Sequence, residues 1–167
     1  MERTGEHPTD GREDILMRFF WIALALFMAG CSQESKTLPY PLSLTQEGLG
    51  AIHPDTPFEQ IPTVILGFEC EKLTAVSASD KGLIYQIKRG GDPLAHVVSD
   101  PSGKKIASIH ILSPLIPDSR GQTLGQPLMG EPFICDDTRC FDPKSPSLYY
   151  TIDPDTRTIL EITFQRL

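Results

Sequence analysis

The sequence predicts an α+β fold that is mainly antiparallel β, with one twisted meander sheet and one short N-terminal helix in a single globular domain at residues 44–167. Apolar and polar residues alternate with a period of two in four segments, which are 83–88, 106–112, 148–152 and 159–165. This period is typical of strands with one buried face. Turn signals rich in Gly and Pro separate the segments, and the dipeptide Thr56-Pro57 predicts where the helix begins.

Residues 1–16 precede this domain and differ from the start of an export signal. They contain five acidic residues, two basic residues and Pro8, whereas the first part of a signal peptide carries a net positive charge. We therefore expect either a misassigned start, with translation beginning at Met17, or a disordered extension.

Residues 17–30 have the order of parts of a secretory signal peptide. Arg18 precedes eleven apolar residues, Phe19 to Ala29, and the small residues Ala29 and Gly30 end the run before Cys31. As a helix, eleven residues span about 16 Å, roughly half of a bilayer's hydrocarbon core of about 30 Å. The run is too short for a membrane-spanning anchor, and it lacks the polar face that a helix at the edge of a core would need.

The end of this signal resembles the lipobox of bacterial lipoproteins, with Met28 at the position where Leu is usual. The resemblance implies that the Cys31 thiol is acylated and that Cys31 becomes the first residue of the mature chain, so the membrane is a partner through this lipid. Ser32, in place of Asp, implies sorting to the outer membrane, facing the periplasm. Several acyl chains hold a protein to a bilayer far more firmly than one chain does. Ordinary secretion after Gly30 is the alternative.

The charge of the mature chain excludes other kinds of attachment. Residues 1–30 contain three basic and five acidic residues, so 12 basic and 17 acidic residues remain. No basic patch is expected, which argues against nucleic acid as a partner and against electrostatic binding to anionic lipid. Residues 31–43 contain Pro39 and Pro41 and are expected to be an extended tether.

The predicted helix lies near the start of the domain. Thr56 is suited to cap it, Pro57 to occupy its first position, and Glu59 to complete a capping box. Pro62 limits its length, because a proline inside a helix removes a hydrogen bond and clashes with the preceding turn. We expect a short helix near residues 57–66.

The strands follow the helix as an antiparallel meander. Their predicted core-facing residues are Leu83, Tyr85 and Ile87, then Ala107, Ile109 and Ile111, then Leu148, Tyr150 and Ile152, and finally Leu160, Ile162 and Phe164. Residues 94–98 form a further strand. In the last strand, Ile159 is predicted to share the wet face with Glu161, Thr163 and Gln165. Residues 113–140 contain too many Gly and Pro residues for long elements.

Three cysteines remain if Cys31 carries lipid. In an oxidising exported compartment, paired cysteines are more often disulfides than metal ligands. Four residues separate Cys135 from Cys140, and a turn of that length brings two Cα atoms within the 4.4 to 6.8 Å that a disulfide needs. We therefore expect a Cys135–Cys140 disulfide and a buried, free Cys70. Pairing of Cys70 with either of the other two is the alternative.

The mature region resembles a family of small bacterial outer-membrane lipoproteins that are controlled by the envelope-stress sigma factor and whose biochemical function is unknown. The residues that carry the resemblance are Gln46 to Gly50, Thr56-Pro57-Phe58, Ile109 to Asp118, Leu124 to Pro127, Cys135 with Cys140, and the closing strand to Arg166. The chain departs from the family's pattern by a shortened segment after Pro127 and by Cys70. The resemblance implies an envelope role and supplies no catalytic residue.

No arrangement of residues in the sequence points to a reaction. His96 and His110 are predicted to face each other across a hairpin, on the sheet face of Ser108, as a polar pair; a metal site would need a third ligand such as Asp92 or Cys70. No G-x-S-x-G motif is present. Asp136, Asp137 and Asp142 are interpreted as a solvated acidic loop, with weak cation binding as the alternative.

We therefore expect no catalytic residues, no metal site and no cofactor. The first functional hypothesis is a non-enzymatic, lipid-anchored envelope protein with a role in envelope maintenance or stress response. The second is a periplasmic binding module for a small apolar ligand or a peptide, with a pocket lined by Tyr85, Tyr149 or Tyr150. A cell-wall hydrolase is the third.

Overall fold

A computed structural model describes residues 42–73, 82–130 and 132–167, all of which belong to one compact unit. The predicted extension at 1–16, the signal peptide at 17–30, the acylated Cys31 and the tether up to residue 41 lie outside the described residues. Within the described ranges, no helix is long and apolar enough to cross a bilayer.

A small ribbon opens the described chain. Strands β1 (Leu44–Thr45) and β2 (Gly48–Leu49) pair antiparallel. Gly48 has φ of +122°, and a Cβ there would lie 2.0 Å from the carbonyl oxygen of Ile52, so the turn requires glycine. Leu42, at the end of the predicted tether, is already buried in the core.

The predicted helix is present as two short turns, a 3-10 helix at Phe58–Gln60 and helix α1 at Ile61–Val64. The predicted capping box is wrong, since no side chain caps either turn. Thr56 Oγ1 instead accepts a hydrogen bond from the backbone N–H of His53 at 3.0 Å, and Glu59 accepts one from the Tyr85 hydroxyl at 3.2 Å.

Eight strands form the main sheet: β3 (Glu69–Leu73), β4 (Ile84–Arg89), β5 (Asp92–Ser99), β6 (Ile106–Ile111), β7 (Ile134–Asp136), β8 (Arg139–Asp142), β9 (Ser145–Ile152) and β10 (Ile159–Gln165). Their order is β3-β4-β5-β6-β10-β9-β8-β7, and every neighbouring pair is antiparallel. Two four-stranded meanders therefore meet where their last strands, β6 and β10, pair. The predicted mainly antiparallel β fold with one short helix is confirmed, and the ribbon of β1 and β2 adds a second, two-stranded sheet.

The hydrophobic core covers one face of the main sheet. The strand residues buried in it include Tyr85, Ile87, Val97, Ile109, Ile111, Leu148, Tyr150, Ile152, Ile162 and Phe164. The N-terminal segment packs against them in the same cluster through Leu44, Leu49 and Phe58. The ring of Phe58 stacks on that of Tyr85 at a centroid distance of 4.9 Å. The intervening strand residues lie on the opposite face, which we call the exposed face.

Two β-bulges displace residues from their predicted faces. The register of β10 against β9 shifts between Ile159 and Glu161, and Ile159 is 1% exposed whereas Leu160 is 59% exposed. The predicted facing of these two residues is therefore wrong, because a bulge inserts one extra residue and reverses the alternation. A register shift also falls between β5 and β6, where Ile106 is buried and Ala107 only half-buried.

Candidate functional site

A cleft of about 380 Å³ lies on the exposed face of the sheet, where the two meanders meet. Its lining comes from the four adjacent strands β6, β10, β9 and β8, and apart from the Tyr149 ring its side chains are polar or charged. The same strands present apolar residues to the core on their other face. The period-two alternation of the sequence thus produces both the core and the cleft.

Strand register brings polar side chains into a row across the exposed face. Gln86 is paired with His96, His96 with His110, His110 with Thr163, and Thr163 with Tyr149. Side chains of directly paired residues lie about 4.5 to 5.5 Å apart at Cβ, close enough to interact. The predicted facing of His96 and His110 is confirmed.

Three of the lining side chains form a continuous hydrogen-bonded chain. Ser108 Oγ lies 2.9 Å from His110 Nε2, and His110 Nδ1 lies 2.7 Å from Glu161 Oε1. Because a carboxylate only accepts hydrogen bonds, Nδ1 carries the ring proton of neutral His110. Nε2 is then an acceptor, and the Ser108 hydroxyl donates to it.

The charges in this chain are arranged to keep Glu161 ionised. The hydrogen bond from His110 lowers the pKa of the Glu161 carboxyl below its ordinary value of 4.5, although partial burial opposes this effect. Thr151 also donates to Glu161, with 3.4 Å between the oxygens. At neutral pH the imidazole of His110 therefore has a carboxylate on one side and a hydroxyl on the other.

His96, beside His110, is held in the neutral form. Burial, followed by the effect of His110, lowers the pKa of His96 below its ordinary value of 6.5. The amide nitrogen of Gln86 lies 2.9 Å from His96 Nε2, and since this nitrogen only donates, His96 Nε2 accepts.

The other end of the cleft carries a cation. The guanidinium of Arg139 lies 4.1 Å from the centroid of the Tyr149 ring and donates to Gln165 Oε1 at 3.0 Å. Across the parts of the chain that the structure describes, no carboxylate forms an ion pair with Arg139. Cation–π stacking orients the guanidinium, and within the described residues no carboxylate pairs with its charge.

The remaining predicted site residues lie elsewhere. Cys135 and Cys140 form the predicted disulfide between β7 and β8, with 4.0 Å between their Cα atoms, and Cys70 is a free, half-buried thiol. Within residues 42–73, 82–130 and 132–167, no group of three side chains is suited to hold a metal. Neither Asp92 nor Cys70 therefore completes a site with the two histidines.

The interpretation of Asp142 as part of a solvated acidic loop is wrong. Asp142 is 1% exposed and forms an ion pair with Arg120. Next to this pair, buried Asp118 accepts a hydrogen bond from the Tyr150 hydroxyl. These contacts of buried Asp142 and Asp118 stabilise the loop that follows β6, and neither carboxylate lines the cleft.

Of the three tyrosines expected to line a pocket, only Tyr149 lines the cleft. Tyr85 and Tyr150 belong to the core. Glu161 was missed as a partner of His110, because the two are 51 positions apart in the chain and sequence alone does not show that β10 pairs with β6. The only available signal was the position of Glu161 on the predicted wet face of the last strand.

Comparison with known proteins finds a similar fold and assigns no function. No family model and no curated protein matches the chain. Among solved structures, the uncharacterized protein yfeY from Escherichia coli is similar, with a TM-score of 0.58 and 16% sequence identity. The match covers 74% of this chain and 99% of that chain. At this identity the likeness concerns the fold alone.

Proposed function

We propose that this protein is a lipid-anchored protein of the bacterial cell envelope, with a role in envelope maintenance, whose β domain binds a polar ligand in the cleft. The observation that carries the binding proposal is the lining of the cleft. Arg139 provides a cation without an ion-pair partner in the described chain, and Ser108, Thr163 and Glu161 provide hydroxyl and carboxylate groups elsewhere in the same cleft.

The chemistry of the lining favours a polar ligand over an apolar one. A binding site for an apolar molecule is expected to be lined mainly by hydrophobic and aromatic side chains, and the cleft has only the Tyr149 ring, covered on one face by Arg139. The expected ligand has an anionic group for Arg139 and hydroxyl or carbonyl groups for the side chains of β6 and β10.

The membrane part of the proposal depends on Cys31. Acylation of Cys31 would attach the domain to the outer membrane on its periplasmic side, with residues 31–41 as the tether, since Leu42 already lies in the core. Intact-mass measurement of the protein purified from native membranes tests this directly. We expect a chain that begins at Cys31 and carries acyl groups, whereas an unmodified Cys31 would contradict it. The variant Cys31→Ser is the matched control and should be found in the soluble fraction.

Crosslinking in intact cells tests the binding proposal. A photo-reactive amino acid placed at Tyr149, inside the cleft, is expected to capture a polar small molecule or a peptide that mass spectrometry identifies. The same amino acid at Asp155, on the exposed turn before β10, is the control. Capture of the same species from both positions, or no capture from Tyr149, would contradict binding in the cleft.

A further inference from the structure

We propose that Ser108, His110 and Glu161 form a nucleophile, a general base and a positioning carboxylate that together cleave a carboxylic ester bound in the cleft. This activity goes beyond the ligand binding proposed above and opposes the expectation of a non-enzymatic role. It follows from the order of the contacts within the cleft.

The two contacts of His110 are on opposite ring nitrogens, as nucleophilic catalysis by serine requires. Ser108 Oγ is 2.9 Å from Nε2, and Glu161 Oε1 is 2.7 Å from Nδ1. Both distances are typical of hydrogen bonds, the first between a nucleophile and its base and the second between the base and the carboxylate that orients it. All three side chains line the same cleft, so the Ser108 hydroxyl is accessible to a ligand.

The positions of these side chains are set by rigid elements. Ser108 and His110 lie two residues apart on β6, and Glu161 lies on β10, which is paired with β6. Both strands are in the interior of the eight-stranded sheet. A site on paired interior strands holds its geometry better than one on loops. This arrangement differs from that of the G-x-S-x-G motif, which is absent from the sequence and places its serine on a strand-to-helix turn.

The groups around His110 suit a base that becomes charged during a reaction. Glu161 faces it from β10 and stabilises an imidazolium, while His96 faces it from β5 in the neutral form. Thr163 Oγ1 lies 3.4 Å from Nδ1. A cationic His96 directly opposite His110 would oppose the formation of an imidazolium on His110. Burial of His96 and its contact with Gln86 keep His96 neutral.

The proposed reaction has two balanced steps. In the first, Ser108 Oγ forms a bond to the carbonyl carbon of the ester and its proton moves to His110 Nε2; the bond to the alcohol oxygen then breaks, and the alcohol leaves with that proton. In the second, water attacks the acyl-serine, His110 takes a proton from the water and returns it to Ser108, and the carboxylic acid is released. No cofactor is consumed.

The backbone N–H groups of β6 are directed into the ladders with β5 and β10, so they are not free to form an oxyanion hole beside Ser108. Arg139 is a cationic donor at the other end of the same cleft. An ester whose acyl or alcohol portion carries a negative charge fits this arrangement, because Arg139 would hold that charge.

Labelling with a fluorophosphonate tests the proposal on the full exported protein in detergent. We expect covalent modification of Ser108, identified by peptide mass spectrometry, and loss of labelling after denaturation. Ser108→Ala should abolish both labelling and hydrolysis of p-nitrophenyl acetate, and Ser102→Ala, on the exposed β5–β6 turn, should leave both unchanged. Absence of label from Ser108 in the folded wild-type protein overturns the proposal, whether or not any variant folds.

Three further variants separate catalysis from a structural role. His110→Gln should lower the hydrolysis rate by about 100-fold or more, since general base catalysis contributes factors of this size. Glu161→Gln should lower kcat with KM unchanged, because the imidazolium that forms during the reaction loses its carboxylate, and Glu161→Asp should restore part of the rate. An unchanged kcat for Glu161→Gln contradicts its positioning role.

The esterase proposal and the binding proposal can fail independently of each other. Crosslinking from Tyr149 does not require a reactive Ser108. Capture of a ligand without labelling of Ser108 would retain binding and exclude the esterase activity, whereas labelling without capture would retain the reactive serine and exclude the proposed stable ligand.

Discussion

At the scale of single residues, Tyr149 and Tyr150 show how one strand serves two surfaces. Tyr149 lies in the cleft, and Tyr150 is 1% exposed in the core. The Tyr150 hydroxyl donates to Asp118, which also accepts backbone N–H groups from Arg120 and Gln122 at 2.8 Å each. Burial, and then the contact with Asp118, raises the pKa of Tyr150, so its hydroxyl stays protonated and remains a donor.

Replacement of Tyr150 by Phe is therefore expected to destabilise the protein. The change removes one donor from a buried carboxylate, and an unsatisfied buried group costs about 1 to 3 kcal/mol. Tyr149→Phe makes the same chemical change on the exposed face and should alter the free energy of unfolding by less than about 0.5 kcal/mol. Urea unfolding measures both. Equal effects would contradict the role assigned to the Tyr150–Asp118 contact.

His96 makes the stability of the folded state depend on pH. Its pKa is lowered on folding from an ordinary value of 6.5, so the unfolded chain binds the proton more readily, and stability is lost as pH falls below about 6.5. His96→Gln should flatten the decline in melting temperature between about pH 7 and pH 5.5. The lowered pKa of Glu161 acts below its ordinary value of 4.5, outside this window. A wild-type slope in His96→Gln would contradict the assignment.

At the scale of elements, the strands could be predicted and their irregularities could not. Alternation identified the buried positions of β4 and β9, because a sheet with one wet face imposes a period of two on the sequence. It failed at Ile159 and Leu160, since a bulge leaves no distinct sequence signal in an apolar pair. The partnership of His110 with Glu161 depended on the pairing of β6 with β10, which local periodicity does not determine.

The bulge in β10 predicts that Ile159, and not Leu160, lies in the core, and replacing each residue by Ala tests this. Ile159→Ala removes a side chain that is 1% exposed and should cost about 2 to 4 kcal/mol. Leu160→Ala changes a side chain that is 59% exposed and should cost less than about 0.5 kcal/mol. Chemical denaturation of the two variants compares them. A larger cost for Leu160→Ala would restore the simple alternation and contradict the bulge.

At the scale of the whole molecule, the sheet is two meanders joined along their final strands. β3 to β6 form one and β7 to β10 form the other, and β6 pairs with β10. Ser108 and His110 come from the first meander, while Glu161 and Arg139 come from the second. The cleft therefore exists only when the last strand has docked, so folding of the complete sheet and assembly of the site are one event.

Two truncations separate this role of β10 from that of the residues after it. Ending the chain after Gln165 removes Arg166, whose guanidinium contacts the Pro54 carbonyl at 2.6 Å and Asp55 at 2.9 Å. Because Asp55 is largely exposed, the loss should be modest, about 1 kcal/mol in the free energy of unfolding.

Ending the chain before Ile159 instead leaves β6 and β9 with unpaired interior edges and deletes Ile159, Ile162 and Phe164 from the core. Such edges promote aggregation, and the loss of three buried side chains exceeds the free energy of unfolding expected for a domain of this size. We expect an insoluble or unfolded product, measured by circular dichroism and sedimentation, beside a folded protein from the shorter truncation. A soluble, folded domain without β10 would show that the first meander is stable alone, and the site would then form by docking onto a preformed half.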